Sequence, residues 1–216
     1  MYNITTIYII LMEVFLTLTL FKILTLSQNK RQSSKAMLIF GFWLLSVIGL
    51  FQVTHILPSD ISSVSLFIII LLGVTASTGI FYLLKDQFLG LSQDLLLLPQ
   101  GFRMMFGAGF LIEGAYGIIP IHYGVLDGVL HITTAFLALS LAIYIARGCS
   151  CKNSIILVNI FGLTDIVIVA AGISFIILPE IGSHHNVFLA VFYAAPIFIC
   201  LHLISLYTVF TEKSSL

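Results

Sequence analysis

Long apolar segments follow one another along almost the whole chain, and they constrain its fold more than any other feature. A helix needs about 20 apolar residues to cross the hydrocarbon core of a bilayer. Seven segments of about that length occur, at 4–26, 37–57, 64–84, 102–119, 121–146, 155–178 and 186–210. Only short connections remain between them. The sequence therefore predicts an all-α protein in which residues 1–216 form a single bundle of seven transmembrane helices.

The composition excludes the main classes of soluble protein. Hydrophobic residues make up 60% of the chain and charged residues only 8%, whereas a soluble domain carries about 25% charged residues. Nine Lys and Arg balance nine Asp and Glu, so there is no basic surplus to bind nucleic acid. Three cysteines are too few for a disulfide scaffold. Any function must therefore lie inside the bundle or at its two faces.

The positions of the basic residues predict the orientation in the membrane. Connections that stay in the cytoplasm carry the excess of Lys and Arg. If the N-terminus lies outside, all the basic residues fall on the inner side; they are Lys22, Lys30, Arg31, Lys35, Lys85, Arg103, Arg147, Lys152 and Lys213. We therefore expect a multi-pass protein of the cell (inner or plasma) membrane with its N-terminus outside and its C-terminus inside.

The stretch 86–100 is a candidate interfacial helix on the inner side. It mixes leucines and a phenylalanine with polar residues, a composition typical of helices that lie in the membrane surface. Pro99 is expected to end this helix and to start the next one.

Ionisable residues inside the predicted helices are the strongest indication of function. A charged group facing lipid costs about 2.5–3.5 kcal/mol on the insertion scale, so such residues usually face the interior of a bundle. Four carboxylates meet this description, together with a glutamine and two histidines. The candidate ligand- or proton-binding set is Glu13, Gln52, Glu113, Asp127, His131, Asp165 and His202.

The fifth predicted helix presents this chemistry most concretely. Asp127, His131 and Thr134 are spaced i, i+4 and i+7, so they share one face of the helix. Gly124 and Gly128 adjoin that face and allow a neighbouring helix to approach closely. We expect this face to line a packed interior site.

The charge balance of that site suggests a bound proton or cation. Arg103 is expected to begin its helix about 15 Å below Glu113, which leaves His131 as the only base near the acids. Desolvation without a counter-charge disfavours an ionised carboxylate. The alternative is that each acid is neutral and donates a hydrogen bond to a carbonyl of a neighbouring helix.

Metal and cofactor sites are not predicted, although a bound cation is compatible with the acidic set. Zinc normally needs at least three protein ligands, and Asp127 with His131 supplies two; a third could come from Glu113 or Asp165. No retinal is expected, because the last helix has no lysine before Lys213.

The remaining histidines and the cysteine pair are expected to be less informative. His55 is predicted at the outer interface, and the other three histidines are predicted to be solvated in outer connections; these are His122, His184 and His185. Cys149 and Cys151 are expected to be reduced thiols in a cytoplasmic loop.

The second half of the chain contains a set of separate residues that form a recognisable pattern. They are Arg103, 117–120, Asp127 with Gly128, Asn159, Gly162, Asp165, Pro196, His202 and 205–206. In these residues the chain resembles a family of small bacterial heptahelical membrane proteins without an assigned function. The likeness spans roughly residues 99–210. It implies the seven-helix topology and draws attention to Asp127 and Asp165, but it implies no activity.

Three functional hypotheses follow, with the lipid bilayer and a small-molecule or lipid ligand, not nucleic acid, as partners. The first is proton- or cation-coupled transport of a small solute, with Asp127, His131 and Glu113 as binding groups and Asp165 deeper on the path. The second is a membrane-embedded enzyme acting on a lipid or isoprenoid, in which Asp127 or Glu113 is the general acid and His131 its partner. The third is a receptor or accessory subunit.

Overall fold

The structure, a computed structural model, describes residues 2–26, 30–54, 56, 60–82, 84–149, 151–177, 180 and 185–211. Within these ranges the chain is helical and contains no strand. The helices are α1 (Tyr2–Leu26), α2 (Lys30–Ile48), α3 (Ser63–Tyr82), α4 (Lys85–Phe88), α5 (Gln93–Leu97), α6 (Arg103–Ala115), α7 (Ile121–Ala146), α8 (Lys152–Gly172), α9 (His185–Phe192) and α10 (Ala194–Thr211). A π-helical turn extends α2 through Gly49–Val53, another extends α8 through Ile173–Ile177, and a 3-10 turn, Leu98–Phe102, joins α5 to α6.

These helices form the architecture of a multi-pass membrane protein. Six helical stretches of the described chain are long and apolar enough to cross a membrane: Ile4–Leu26, Ser33–Val53, Gln93–Ala115, Ile121–Ala146, Lys152–Ile177 and Asn186–Thr211. A shorter apolar helix covers Ser63–Gly79. The last stretch is the most central, because 78% of its most apolar 18-residue segment is buried. Its second part, α10, packs against α8, α3 and α5.

The predicted boundaries of the fourth span, 102–119, are wrong. The apolar stretch begins at Gln93 and ends at Ala115, with the 3-10 turn in its middle. Pro99 lies at the start of this turn, where the missing N–H of proline costs little because the first amides of a helical turn have no partner within it. Of the predicted interfacial segment 86–100, the part from Gln93 onward belongs to this apolar stretch, and the short helix α4 (Lys85–Phe88) covers its first residues.

This shift moves Arg103 from the expected end of the span to a point near its middle. The predicted span ended after Gly117, whereas in the structure Gly117 lies in the turn that follows α6. It adopts a positive φ of 66°, a conformation that glycine reaches without steric cost. The chain then reverses into α7.

Glycines bring α6 and α7 into close backbone contact, as expected at Gly124 and Gly128. A Cβ on Gly124 would lie 2.7 Å from the carbonyl oxygen of Phe110, and one on Gly128 would lie 2.9 Å from that of Gly107. Any larger residue would therefore force the two backbones apart. The close crossing holds the polar face of α7 at a fixed position relative to Arg103 at the start of α6.

Candidate functional site

An ion pair between Arg103 and Asp165 lies in the interior of the bundle. Both side chains are almost completely buried, and Arg103 Nη2 is 2.5 Å from Asp165 Oδ2. Arg103 Nη1 also donates a hydrogen bond to the carbonyl oxygen of Gly162, at 3.0 Å. Gly162 is needed there because a Cβ would lie 2.3 Å from His202 Nε2. The guanidinium is thus seated against a bare stretch of α8 backbone.

Two residues of α7 hold the same carboxylate from the other side. Thr134 Oγ1 donates a hydrogen bond to Asp165 Oδ2 at 2.8 Å, and His131 Nδ1 lies 3.0 and 3.1 Å from the two carboxylate oxygens. An ionised carboxylate only accepts hydrogen bonds, so His131 carries a hydrogen on Nδ1.

Asp127 lies one helical turn before His131 and is the unpaired member of the group. Its Oδ1 is 3.8 Å from His131 Nδ1, which is too long for a hydrogen bond. Both carboxylate oxygens are buried and lack a hydrogen-bond partner within the described part of the chain. The five residues Arg103, Asp127, His131, Thr134 and Asp165 are called the central cluster below.

A chain of neutral polar groups continues from Arg103 toward α5. Arg103 Nη1 is 3.2 Å from His202 Nε2, which must accept this bond because the guanidinium has no acceptor. His202 Nδ1 therefore carries the hydrogen and donates to Asn159 Oδ1 at 2.7 Å. Asn159 Nδ2 donates to Ser205 Oγ, and Ser205 Oγ donates to Gln93 Oε1. These contacts fix the tautomer of His202 and orient the guanidinium.

The charge balance differs from the one expected from the sequence. The prediction that no Lys or Arg reaches the acids is wrong for Asp165, because the apolar stretch Gln93–Ala115 begins earlier than the predicted fourth helix and carries Arg103 into the interior. Since Arg103 neutralises Asp165, one carboxylate, Asp127, and one base, His131, remain. A single proton on either of them makes the central cluster neutral. The cluster can therefore hold a proton without any further ion.

A small cavity adjoins His131. It has a volume of about 30 Å³ and is lined mainly by apolar side chains, among them Phe106, Phe110, Val169 and Phe198. This is enough space for a water molecule. A second cavity of about 10 Å³ shares Phe106, Phe110 and Ala190 with the first and is bordered by Glu113.

Glu113 and Gln52 lie together in a separate polar group rather than beside Asp127. Asn186 connects them: its Nδ2 donates to Glu113 Oε1 at 3.3 Å, and its Oδ1 accepts from Gln52 Nε2 at 3.3 Å. Thr5 and Thr6 of α1 also bond to the Asn186 amide. We call these five residues the Asn186 cluster. Sequence reasoning missed Asn186 because it falls at the very start of the last predicted span.

Glu13 joins neither group. Its side chain is fully buried, and both carboxylate oxygens lack a hydrogen-bond partner among the residues that the structure describes. One turn along α1, Thr17 donates a hydrogen bond to the Glu13 carbonyl oxygen and contacts the Tyr193 hydroxyl.

The other residues that were singled out lie elsewhere. His55 and His184 fall outside the described residues, as does the side chain of His185. His122 is exposed at the start of α7. Cys149 and Cys151 form a disulfide, so the expectation of two reduced thiols is wrong for this structure.

Besides Asn186, sequence reasoning passed over Arg103, Asn159 and Ser205 as functional candidates. The sequence predicts Arg103 on the inner side of the membrane. Asn159 and Asp165 do not share a helix face, so the sequence does not indicate that they belong to one site. In the structure, His202 connects Asn159 with Asp165. It contacts Asn159 on one side and, on the other, Arg103, which pairs with Asp165. A contact through a third helix leaves no periodic signal in the sequence.

The ligand atoms of Asp127, His131 and Asp165 lie within 4.8 Å of one another. These three residues are thus the group in the described chain that could hold a metal ion. Three protein ligands satisfy the usual minimum for zinc with an open position, but the positive charge of Arg103 beside Asp165 opposes a second cation at the same carboxylate.

Comparison with known proteins gives a family but no activity. Neither the curated proteins nor the solved structures contain a match to this chain. A family model described as a domain of unknown function, DUF8737, matches residues 61–210. The matched region includes every member of the central cluster and the chain of polar groups from His202 to Gln93. The protein therefore belongs to the DUF8737 family.

Proposed function

We propose that this protein binds and releases a proton at Asp127 and His131 inside the membrane and couples that step to the movement of a small solute. The observation that carries the proposal is the state of Asp127, whose two carboxylate oxygens are buried without a hydrogen-bond partner in the described chain, one helical turn from a histidine. Ionisable residues within spanning helices are typical of proton relays in pumps and transporters.

The physical argument rests on the cost of an unpaired buried charge. An ionised Asp127 would be buried without a hydrogen-bond donor from the described chain, and burying such a group is expensive. A proton on Asp127 removes the charge, and a proton on His131 supplies a counter-charge 3.8 Å away. The central cluster has the same net charge whether the proton is on Asp127 or on His131, so the proton can move between these two residues. The ion pair between Arg103 and Asp165 holds His131 in place.

The two small cavities support a route for that proton. The first adjoins His131 and the second is bordered by Glu113, and the rings of Phe106 and Phe110 line both. The Phe110 ring lies edge-on to His131, with ring centroids 5.8 Å apart. Water in these cavities would connect the central cluster with the Asn186 cluster, and a movement of Phe110 would open or close the connection.

We further propose seven spans, with the N-terminus outside, in the cell (inner or plasma) membrane. The helix Ser63–Tyr82 has 20 residues, which is long enough to cross if its last turn is included. With Arg103 assigned to the interior, the other basic residues still fall on one side under this topology. The Asn186 cluster would then lie toward the outside.

Two measurements on purified protein test the proton site. In liposomes that contain a pH-sensitive dye, an external acid pulse is expected to acidify the interior at least about tenfold more slowly for Asp127→Asn than for the unchanged protein. In infrared difference spectra taken across a pH titration, the same variant is expected to lose a carboxylic C=O band. Asp60→Asn is the matched control, because it makes the same chemical change at an exposed position. Equal acidification rates and identical titrating bands in the two variants would rule the proposal out.

A cation-coupled form of the same mechanism is the second candidate. It is favoured by the three convergent ligands Asp127, His131 and Asp165. Isothermal titration with Zn²⁺ or Mn²⁺ would distinguish it: the cation form requires one equivalent bound by the unchanged protein and none by Asp127→Asn, whereas the proton form requires no binding by either.

A further inference from the structure

A groove opens on the surface between the end of α3, α4 and α10, away from the central cluster. Its volume is about 350 Å³, and it is lined by Tyr82, Lys85, Leu89, Leu203, Ile204 and Tyr207. The groove therefore combines one cation and two phenol groups with three aliphatic side chains. None of these residues belongs to the central cluster or to the Asn186 cluster.

The polar part of the groove is organised around Lys85. Its Nζ donates a hydrogen bond to the Tyr82 hydroxyl at 2.6 Å and lies 3.9 Å from the centre of that ring. This hydrogen bond raises the pKa of Lys85, so the ammonium is charged at neutral pH. An ammonium group has three N–H donors, and one is used by Tyr82. Asp86 is the neighbouring acid on α4, and it is exposed.

The apolar part of the groove runs along a spanning helix. Leu203 and Ile204 lie inside the stretch Asn186–Thr211, and Leu203 is 45% exposed. Tyr82 and Tyr207 are each more than half exposed near the ends of their helices. Tyrosines at such positions are typical of the membrane interface, where the ring meets acyl chains and the hydroxyl meets headgroups. Under the proposed topology, the groove therefore lies at the membrane interface.

We propose that this groove binds one anionic phospholipid. The phosphate lies against Lys85 and the Tyr207 hydroxyl, and one acyl chain follows Leu203 and Ile204 into the bilayer. Charge complementarity decides the headgroup: lysine is a common point-charge ligand of phosphate, and basic pockets between spanning helices on the cytoplasmic side bind anionic headgroups. Under the proposed topology Lys85 lies on that side. The lipid site itself does not depend on proton binding at Asp127.

Native mass spectrometry of the full chain in detergent tests this site. The protein is incubated with phosphatidylglycerol or with phosphatidylcholine of the same acyl chains, and the fraction carrying one lipid is measured. The unchanged protein is expected to prefer phosphatidylglycerol. Lys85→Gln is expected to lower the affinity for it by about fivefold, in line with the usual effect of one basic residue at a membrane surface. Lys152→Gln, which alters an exposed lysine outside the groove, is expected to keep the preference.

A second variant separates loss of the site from loss of the fold. Tyr82→Phe removes the hydroxyl that holds Lys85 and keeps the ring, so it is expected to weaken phosphatidylglycerol binding while the thermal unfolding midpoint stays unchanged. Three results would each overturn the proposal: equal occupancy by the two lipids in the unchanged protein, a full preference retained by Lys85→Gln, or displacement of the lipid by millimolar inorganic phosphate, which would indicate a site for a free anion.

Discussion

Arg103 occupies the point where the 3-10 turn joins α6, and every contact of its guanidinium described above is to another helix. It pairs with Asp165 on α8, donates to the Gly162 carbonyl oxygen and reaches His202 on α10. A buried ion pair is weak evidence of stability as a whole, but removing one partner leaves an uncompensated buried charge. We therefore expect the loss of Arg103 to lower the stability of the fold strongly.

Arg103→Met is expected to lower the free energy of unfolding by about 3–5 kcal/mol, because it leaves Asp165 ionised in the interior. The double variant Arg103→Met with Asp165→Leu should recover most of this loss, since no unpaired charge remains. Reversible denaturation in mixed micelles measures both. Arg147→Met, at an exposed position, serves as the control and should change stability by less than about 0.5 kcal/mol. Similar losses in the single and double variants would contradict the role of the ion pair.

At the scale of helices, the pairing of α6 with α7 determines where the polar side chains meet. Their backbones approach at Gly107 and Gly128 on one level and at Gly114 and Gly124 on another. The same contact holds Asp127, His131 and Thr134 beside Arg103.

The predicted fourth helix shows the limit of reading helices from sequence. Its polar first turns and Pro99 are typical of a boundary, and they nevertheless lie within a continuous span because α10 and α7 cover them.

Gly128→Ala tests this crossing. A Cβ there would lie 2.6 Å from the flexible side chain of Leu111, which can move, and 2.9 Å from the backbone oxygen of Gly107, which cannot. We expect a loss of about 1–3 kcal/mol in the free energy of unfolding, the usual cost of overpacking. Gly41→Ala is the matched control, because nothing lies within 4 Å of a Cβ at that helical position. It should be neutral or stabilising by up to about 1 kcal/mol. An equal effect of both substitutions would show that the crossing tolerates a methyl group.

At the scale of the whole molecule, the last apolar stretch, Asn186–Thr211, is the most buried one. Its first part, α9, contacts α1, α2 and α3, and its second part, α10, contacts α3, α5 and α8. Its buried polar residues connect the two ends of the bundle: Asn186 of the last span binds Glu113, while His202 and Ser205 bind Asn159. A movement of this stretch relative to its neighbours would therefore change contacts in both the Asn186 cluster and the central cluster. This is the property that a transporter of the proposed kind requires, since protonation must change which side is open.

The proposed orientation can be measured by labelling single cysteines. In a background with Cys149→Ser and Cys151→Ser, Ser62→Cys is expected to react with a membrane-impermeant maleimide in intact cells. Asn153→Cys should react only after the membrane is made permeable, because it lies beyond α7 on the side with the basic residues. Both positions are exposed, and Cys200 is buried. The opposite pattern of labelling would reverse the topology, and labelling of both sites in intact cells would contradict the number of spans between them.

The sequence by itself determined that the chain is helical and apolar enough for a membrane, and it identified Asp127, His131 and Asp165 as interior residues. These inferences depend on free energies of transfer and on helical periodicity, which are properties of a segment alone. It did not determine which acid is neutralised. The tertiary structure decided that Arg103 pairs with Asp165, that Glu113 belongs to another group and that Asp127 is the acid of the central cluster without a hydrogen-bond partner in the described chain. The physical reason is that a counter-charge acts across helices through distance in space, and helical periodicity records only the direction in which a residue faces.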